Sequence, residues 1–330
     1  MKEYDIITFG SATRDNFLFL KRLDVAKTKR FIAGKAYCFP AGAKIEVEKF
    51  IFSTGGGGAN TASTFANQGF RVAYCGMVGG DIGGKLIIEE LQKNGVETPI
   101  VKVSKEKQTD YSFIITAPIV DRTILVHHGA SGSFAFKDMP LSEVKKASWW
   151  YLAPLSGKLC RDTEKLVKFA KRQGIKVAIN PGSCQLSRPK MIKRILNMVD
   201  VVILNQEEAS LLTKVPYSKE TEVFRVLDKL VNGITIMTKG PNGVVVSDGR
   251  YLYYANSSTV KVVDRTGAGD AFASGFVSGF IRRGSVPYSI QLGIANAVSC
   301  IRTVGAREGL LKKDQKWQRV RVKKTPCYYC

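Results

Sequence analysis

The chain has 330 residues, 45% of them hydrophobic, enough to bury a large core in one big α/β domain without disulfide or metal staples. No uninterrupted apolar run approaches the roughly 20 residues of a membrane helix, the opening Met-Lys-Glu-Tyr-Asp lacks a secretory leader, and seven scattered cysteines suit a soluble protein of the reducing cytoplasm. Lys and Arg outnumber Asp and Glu by 50 to 28, a formal +22 that attracts anions, but no helix-turn-helix, zinc-finger or RNA-binding pattern accompanies it, so specific nucleic-acid recognition is not expected.

Strand-like Tyr4 to Phe9 leads the chain, followed by helix-like Thr61 to Gln68, strand-like Val72 to Gly76 and helix-like Leu86 to Asn94. Further on, helix-like Arg161 to Gln173 precedes apolar Val177 to Ile179, Lys190 to Met198 precedes Val201 to Leu204, and Glu220 to Val231 precedes Ile234 to Met237. Such alternation makes parallel strands covered by helices, and nearly continuous apolar strands suit a sheet buried on both faces. Phe17 to Phe52 and Thr109 to His128 break the rhythm, with β-branched and aromatic residues alternating with polar ones as in a small accessory sheet. Without a repeat or a low-complexity linker, that sheet is expected as an insertion into a single domain. His127 and His128 would point to opposite sheet faces, which argues against a shared metal and leaves one of them within reach of a substrate.

Gly55-Gly56-Gly57-Gly58-Ala59-Asn60 leads straight into the helix near Thr61. Four residues without side chains let a ligand approach the backbone at a helix N-terminus; a flexible spacer is the plainer alternative. Gly79-Gly80-Asp81-Ile82-Gly83-Gly84-Lys85 has the glycines and lysine of a phosphate-binding P-loop, but Leu86 stands where a Ser or Thr hydroxyl is needed. A structural strand-to-helix turn is expected there.

The most informative segment is Val263-Asp264-Arg265-Thr266-Gly267-Ala268-Gly269-Asp270-Ala271-Phe272, ahead of the small-residue helix Ala273 to Phe280. Backbone N–H groups of Gly267, Ala268 and Gly269 at a helix N-terminus make a cradle for the charge on a transferring phosphoryl group. Asp270 reads as a cap or dipole partner of that helix. With Asp264 six residues earlier it also reads as one of two acids, one holding substrate and the other accepting its proton.

On these residues the chain resembles the ribokinase-like, or phosphofructokinase B, carbohydrate kinases. Asp264 to Phe272 is similar to the family's C-terminal signature, and Gly55 to Asn60 with Gly76, Gly79, Asp81 and Gly84 to its N-terminal one. The similarity runs from Asp5 to about Leu311, giving a kinase domain over 1–311, lid strands within about 14–52 and 109–128, and a basic C-terminal extension over 312–330. Cys327 and Cys330 in that extension read as part of a loose tail, since a zinc site would want further ligands. The resemblance implies a Rossmann-like α/β ribokinase fold, with a mainly parallel sheet flanked by helices and a small inserted β-sheet lid. It implies an enzyme that transfers the γ-phosphoryl group of ATP to a hydroxyl of a sugar or nucleoside, with Mg2+ as cofactor, and it leaves a homodimer through the lid open. The alternative is a catalytically silent sugar- or nucleotide-binding sensor, because fold alone does not fix chemistry.

Carried over position by position, Asp270 matches the family's catalytic base, and Gly267, Ala268 and Gly269 its anion hole. Asp15 matches the acid that grips substrate hydroxyls, and Gly55, Gly56, Asn60 and Asp264 match further substrate contacts. Asn205 and Glu208 match an Asn-x-x-Glu element that acts on Mg2+ and phosphate through water, although a solvated helix start reads the same way. Asn180, Thr238, Gly240, Gly243 and Asn296 match positions that line the nucleotide pocket, in residue types that also serve turns and caps. Gly57 stands where many sugar kinases carry a lysine and Arg265 where Thr is common; the missing lysine disfavours acceptors already phosphorylated. Gly305-Ala306-Arg307-Glu308-Gly309 resembles the family's K+-binding segment, with Gly309 where a serine often contributes, which weakens the expectation of K+ activation. Ribose, a hexose, 2-keto-3-deoxygluconate and a nucleoside remain open as acceptors.

Overall fold

A computed structural model describes residues 2–30, 34–117 and 122–327. Parts of the two lid stretches, at 31–33 and 118–121, and Cys330 of the terminal cysteine pair lie outside the described residues. Nine strands form the main sheet in the spatial order Val322–Pro326, Tyr251–Ala255, Val244–Ser247, Ile234–Thr238, Val201–Asn205, Lys176–Ile179, Ala147–Leu152, Tyr4–Phe9 and Val72–Cys75. From Val72–Cys75 across to Ile234–Thr238 every pairing is parallel. The remaining three strands add on antiparallel. The apolar runs dictate this: Val201, Val202, Ile203 and Leu204 are all buried, and only a sheet covered on both faces hides successive side chains.

Helices supply the cover through one apolar stripe each. In Pro189–Leu196 the proline opens the helix, where its missing N–H costs nothing. Met191, Ile192, Ile195 and Leu196 are buried while Lys193 and Arg194 are exposed. Ala268–Arg283 packs on Val286–Cys300 through its small residues: a Cβ on Gly275 would lie 3.1 Å from Asn296 Cβ, and one on Gly279 would lie 2.9 Å from Ser289 Cα. Among the described residues no helix is long and apolar enough to cross a membrane.

The two irregular stretches form a separate four-stranded sheet in the order Thr123–His127, Asp110–Thr116, Thr13–Phe19, Lys49–Gly55. Its centre is the parallel pair of Thr13–Phe19 with Asp110–Thr116, in register from Thr13 opposite Asp110 to Phe19 opposite Thr116. Alternation splits its faces: Asp15, Ser112 and Ile114 are buried, whereas Phe52 and Phe113 are exposed. The main-sheet strand Tyr4–Phe9 runs through Gly10, Ser11 and Ala12 directly into Thr13–Phe19, which places this second sheet at the carboxyl end of the first.

The C-terminal extension is not a loose tail where it is described. Val322–Pro326 is the edge strand of the main sheet, paired with Tyr251–Ala255, and Cys327 is buried. The apolar alternation of Val320 and Val322, both packed on the core, is the strand signal that the surrounding positive charges conceal.

Candidate active site

Two cavities meet at the N-terminus of Ala268–Arg283. The larger, about 690 Å³, is lined by Asp15, Gly56, Asn60, Gly267 and Asp270, with Ser112 and Ile114 of the lid sheet across from them. The second, about 300 Å³, is lined by Thr238, Gly240, Gly243, Ala268 and Gly269 and walled by Phe272, Ile294 and Val298. Residues from Gly267 to Asp270 therefore partition a chamber lined by the carboxylates of Asp15 and Asp270 from a narrower, apolar-walled one. A group passing between the two must pass the start of this helix, whose first-turn N–H groups have no intrahelical acceptors.

Asp270 sits in that first turn, and Asn60 Nδ2 donates to its Oδ2 at 2.8 Å. Burial pushes the Asp270 carboxyl above the ordinary range; the Asn60 hydrogen bond pulls it back and nearby Asp15 pushes it further up. Asp15, buried in the lid strand Thr13–Phe19, is likewise raised by burial, offset in part by hydrogen bonds from Thr13 and Ser112 and by the charge of Arg307. Thr13 Oγ1 donates to Asp15 Oδ1 at 2.8 Å. Two desolvated carboxylates facing one chamber have lone pairs to offer a hydroxyl.

The glycines serve close approach in two ways. Gly267 has φ 75° and caps its helix, and a Cβ there would lie 2.8 Å from Ala306 Cα, so only glycine seats this turn against 305–309. In the run Gly55 to Gly58, the amides of Gly58 and Ala59 already donate to Ser11 O at 3.1 and 3.3 Å. That run therefore joins the lid hinge to a helix start, with Gly56 and Gly57 left to line the larger cavity. Gly55 lies against the Asp15 carboxylate, where a methyl would overlap Oδ2. The second cluster is the expected turn: Asp81 caps Ile82–Lys93, accepting from Gly84 N at 2.9 Å.

Other sequence candidates lie beside the cavities. Asp264 Oδ1 accepts from Thr266 N at 2.9 Å and Thr266 Oγ1 at 2.8 Å, and Oδ2 from Gly305 N at 3.0 Å, so it braces the turn ahead of Gly267 without lining either cavity. Asn296 is buried and fully engaged, donating to Ala271 O at 2.8 Å and accepting from Leu311 N at 2.8 Å. Asn180 donates to Ile203 O at 3.0 Å, tying two strand ends together. Asn205 and Glu208 form a reciprocal cap, each backbone N–H donating to the other's side chain at 2.8 Å. Asn180 and Asn205 stand at the carboxyl ends of parallel strands, the edge where ligands bind in such sheets.

Burial raises the Glu208 carboxyl, against the pull of the Asn205 N–H, and only its Oε2 takes a hydrogen bond from the described residues. One free carboxylate oxygen fits Mg2+, which keeps several waters and binds through one or two carboxylates plus phosphates. Among the described residues no cluster of three ligating side chains forms a protein-only cage. At Gly309 a Cβ would lie 2.5 Å from Ser299 O and 2.7 Å from Thr303 Oγ1, so no serine fits there.

Several residues at the site carry no sequence signal of their own. Buried Asp110 lines the larger cavity and accepts from Gly129 N at 3.0 Å, from Ser131 N at 3.1 Å and from the Ser131 hydroxyl, fastening the lid to the returning chain. Nothing local distinguishes it; its placement follows from register opposite Thr13. His128 lines the same cavity and His127 the opposite side of the sheet. Buried Arg307 pairs with Glu90 at 2.9 Å. Cys160 and Cys184 are joined in a disulfide, and Cys184 lines the larger cavity; the odd cysteine count does not foretell this pairing.

Comparison with known proteins identifies the family and the fold. The description pfkB family carbohydrate kinase matches residues 25–313. A ribokinase of Haemophilus influenzae is 27% identical over 288 residues, covering 84% of this chain and 91% of its own. A ribokinase of Lactococcus lactis is 30% identical over 279 residues, covering 83% and 88%. The structure of Arabidopsis thaliana ribokinase complexed with ribose and ATP matches with a TM-score of 0.77 at 22% identity, covering 94% of this chain and 96% of that one, a likeness of fold.

Proposed function

Because the chain belongs to the pfkB family of carbohydrate kinases, phosphotransferases with an alcohol acceptor, we propose that it moves the γ-phosphoryl group of ATP onto a hydroxyl of a sugar or nucleoside, with Asp270 as base. The observation that carries this reading is the position of Asp270 at the junction of two cavities with Asn60 bonded to its carboxylate.

In this reading the acceptor occupies the larger cavity, its hydroxyls held by Asp15 and Asn60, while the adenine nucleotide occupies the smaller one beside Thr238, Gly240 and Gly243. The raised carboxyl of Asp270 makes it a stronger base than an ordinary aspartate, and the hydrogen bond from Asn60 favours its charged form. Asp270 takes the acceptor proton as the oxygen attacks phosphorus in line, and the N–H groups of Gly267, Gly269 and Asp270 receive the charge that develops on the transferring group, the Ala268 N–H being turned to Arg265 O at 3.3 Å. Bound with the nucleotide, Mg2+ would neutralise phosphate charge, with Glu208 placed to reach it through water. Asp264 and Asn296 contribute by holding the cradle in place. The 305–309 segment offers no side-chain hydroxyl at Gly309, and no step of this mechanism is routed through K+.

The lid excludes water from the acceptor, and its outer face supports assembly as a homodimer. Phe50, Phe52 and Phe113 are exposed side by side there, an apolar patch of the kind that marks an interface. Light scattering should give twice the chain mass, and Phe52→Asp should halve it; a monomeric wild type would end the dimer reading. For the reaction, sugars and nucleosides are screened with ATP and Mg2+ for phosphorylated product. Acceptor binding without product for any compound would favour the sensor.

A further inference from the structure

The densest basic run of the chain belongs to neither cavity. Between Lys312 and Lys324 stand seven lysines and arginines against one acid, Asp314. All seven are exposed, and none forms an ion pair among the described residues.

This run is held in one course across the surface. Lys313 N donates to Asn67 O at 2.7 Å, the Trp317 ring lies 6.2 Å from that of Tyr288, and Val322–Pro326 is strand-paired. Val320 and Val322 face the core, leaving Arg319, Arg321 and Lys323 outward. In extended chain such alternate residues stand about 6.6 Å apart, a spacing close to that of successive phosphates along a nucleic-acid strand. Arg283, with its guanidinium 4.1 Å from the Tyr288 ring centroid, and Arg282, bonded to Gln68 at 3.3 Å, extend the strip.

Arg282 and Arg283 end the 16-residue helix that begins beside Asp270, and no residue of the strip lines either cavity. Holding ATP in the cleft therefore does not account for it. Lysines do protect an edge strand from pairing with another chain, but one or two suffice, and seven unpaired cations repel one another. No large apolar side chain is exposed between 264 and 327, so a lipid surface would find nothing to bury.

We propose that residues 312–324, with Arg282 and Arg283, form a docking surface for the phosphate backbone of a nucleic acid, bound by charge and spacing and not by base sequence. The full chain is titrated into a fluorescein-labelled single-stranded RNA of mixed sequence at several salt concentrations, and anisotropy is read. Affinity should fall steeply with salt, and the triple variant Lys316→Glu, Arg319→Glu, Arg321→Glu should bind at least tenfold more weakly, with the log–log salt slope reduced by about 2. Its kinase turnover should match wild type, which also shows that it is folded. The same charge change at exposed Lys190, Lys193 and Lys229 should leave affinity within about twofold. Three results would overturn the proposal: no salt-dependent binding, equal losses in the two triple variants, or tighter binding to phosphatidylserine vesicles than to RNA.

Discussion

Asn60 donates a side-chain hydrogen to Asp270 Oδ2 at 2.8 Å across 210 residues of chain. The bond brings the helix after Gly55 to Gly58 against the helix that starts at the Gly267-Ala268-Gly269 turn, so the two most legible motifs of the sequence meet in one contact. It favours the charged carboxylate, while burial disfavours it, and the balance between them sets when Asp270 can accept a proton.

Replacing Asp270 by Asn should lower kcat by at least about a hundredfold, since removal of a positioned general base costs about 10² to 10⁴. Loss of a cap alone would cost only about 1 kcal/mol of stability. A carboxyl raised by burial contributes stability below its unfolded pKa that is lost as pH rises through its folded pKa, so burying a group that must become charged works against the fold as pH rises. Asp270→Asn should consequently melt at or above the wild-type temperature at pH 7. Wild-type turnover in a folded preparation would refute the base.

The acid limb of kcat should lie above the ordinary aspartate value of about 3.9, because kcat needs the carboxylate and burial raises its pKa. Asn60→Ala removes the donor that holds that pKa down and should move the limb to still higher pH. A pH profile unmoved by Asn60→Ala would mean that the bond does not tune the base.

Asp15→Ala should chiefly raise KM for the acceptor and leave KM for ATP near wild type, because Asp15 lines only the larger cavity. Gly55→Ala should do the same by another route, since its methyl would overlap Asp15 Oδ2. Kinetics with both substrates measured separately decide; a parallel rise in KM for ATP would argue for general damage to the site.

Glu208→Gln retains a side chain able to cap the Asn205 N–H but removes the charge. It should raise the Mg2+ concentration needed for half-maximal rate several-fold and leave thermal stability close to wild type. An unchanged Mg2+ titration would leave Glu208 as a cap only.

The parallel half of the main sheet could be read from composition because buried strands such as Val201–Asn205 are apolar on both faces. Ala147–Leu152 lies between Tyr4–Phe9 and Lys176–Ile179 at the heart of that sheet, yet its Ser-Trp-Trp-Tyr follows a lid stretch of similar aromatic and β-branched character and does not stand out. Val286–Cys300 is equally hidden, since its glycine and serines suit close packing on Ala268–Arg283 more than helix propensity. At the site, motifs pointed to Asp15, Asn60, Gly267 and Asp270, which the fold brings together. Motif membership does not say what a side chain touches: Asp264 and Asn296 match family positions but spend their hydrogen bonds on neighbouring protein groups. The Cys160–Cys184 link depends on two helices meeting in space, which no local pattern encodes.

The central lid pair, Thr13–Phe19 beside Asp110–Thr116, joins segments with the main-sheet strand Val72–Cys75 and the helices Gly57–Asn67 and Ile82–Lys93 between them. Closing so long a loop costs chain entropy before any lid contact offsets it, so the lid must form late, on a main sheet already assembled. By the same balance it should be the first element to unravel. In native-state hydrogen exchange, amides of Asp110–Thr116 should lose protection by local opening well before those of Val201–Asn205, whereas equal protection would show that the two sheets form one cooperative unit. The molecule would then breathe on the lid side of its larger cavity while the main sheet stays shut.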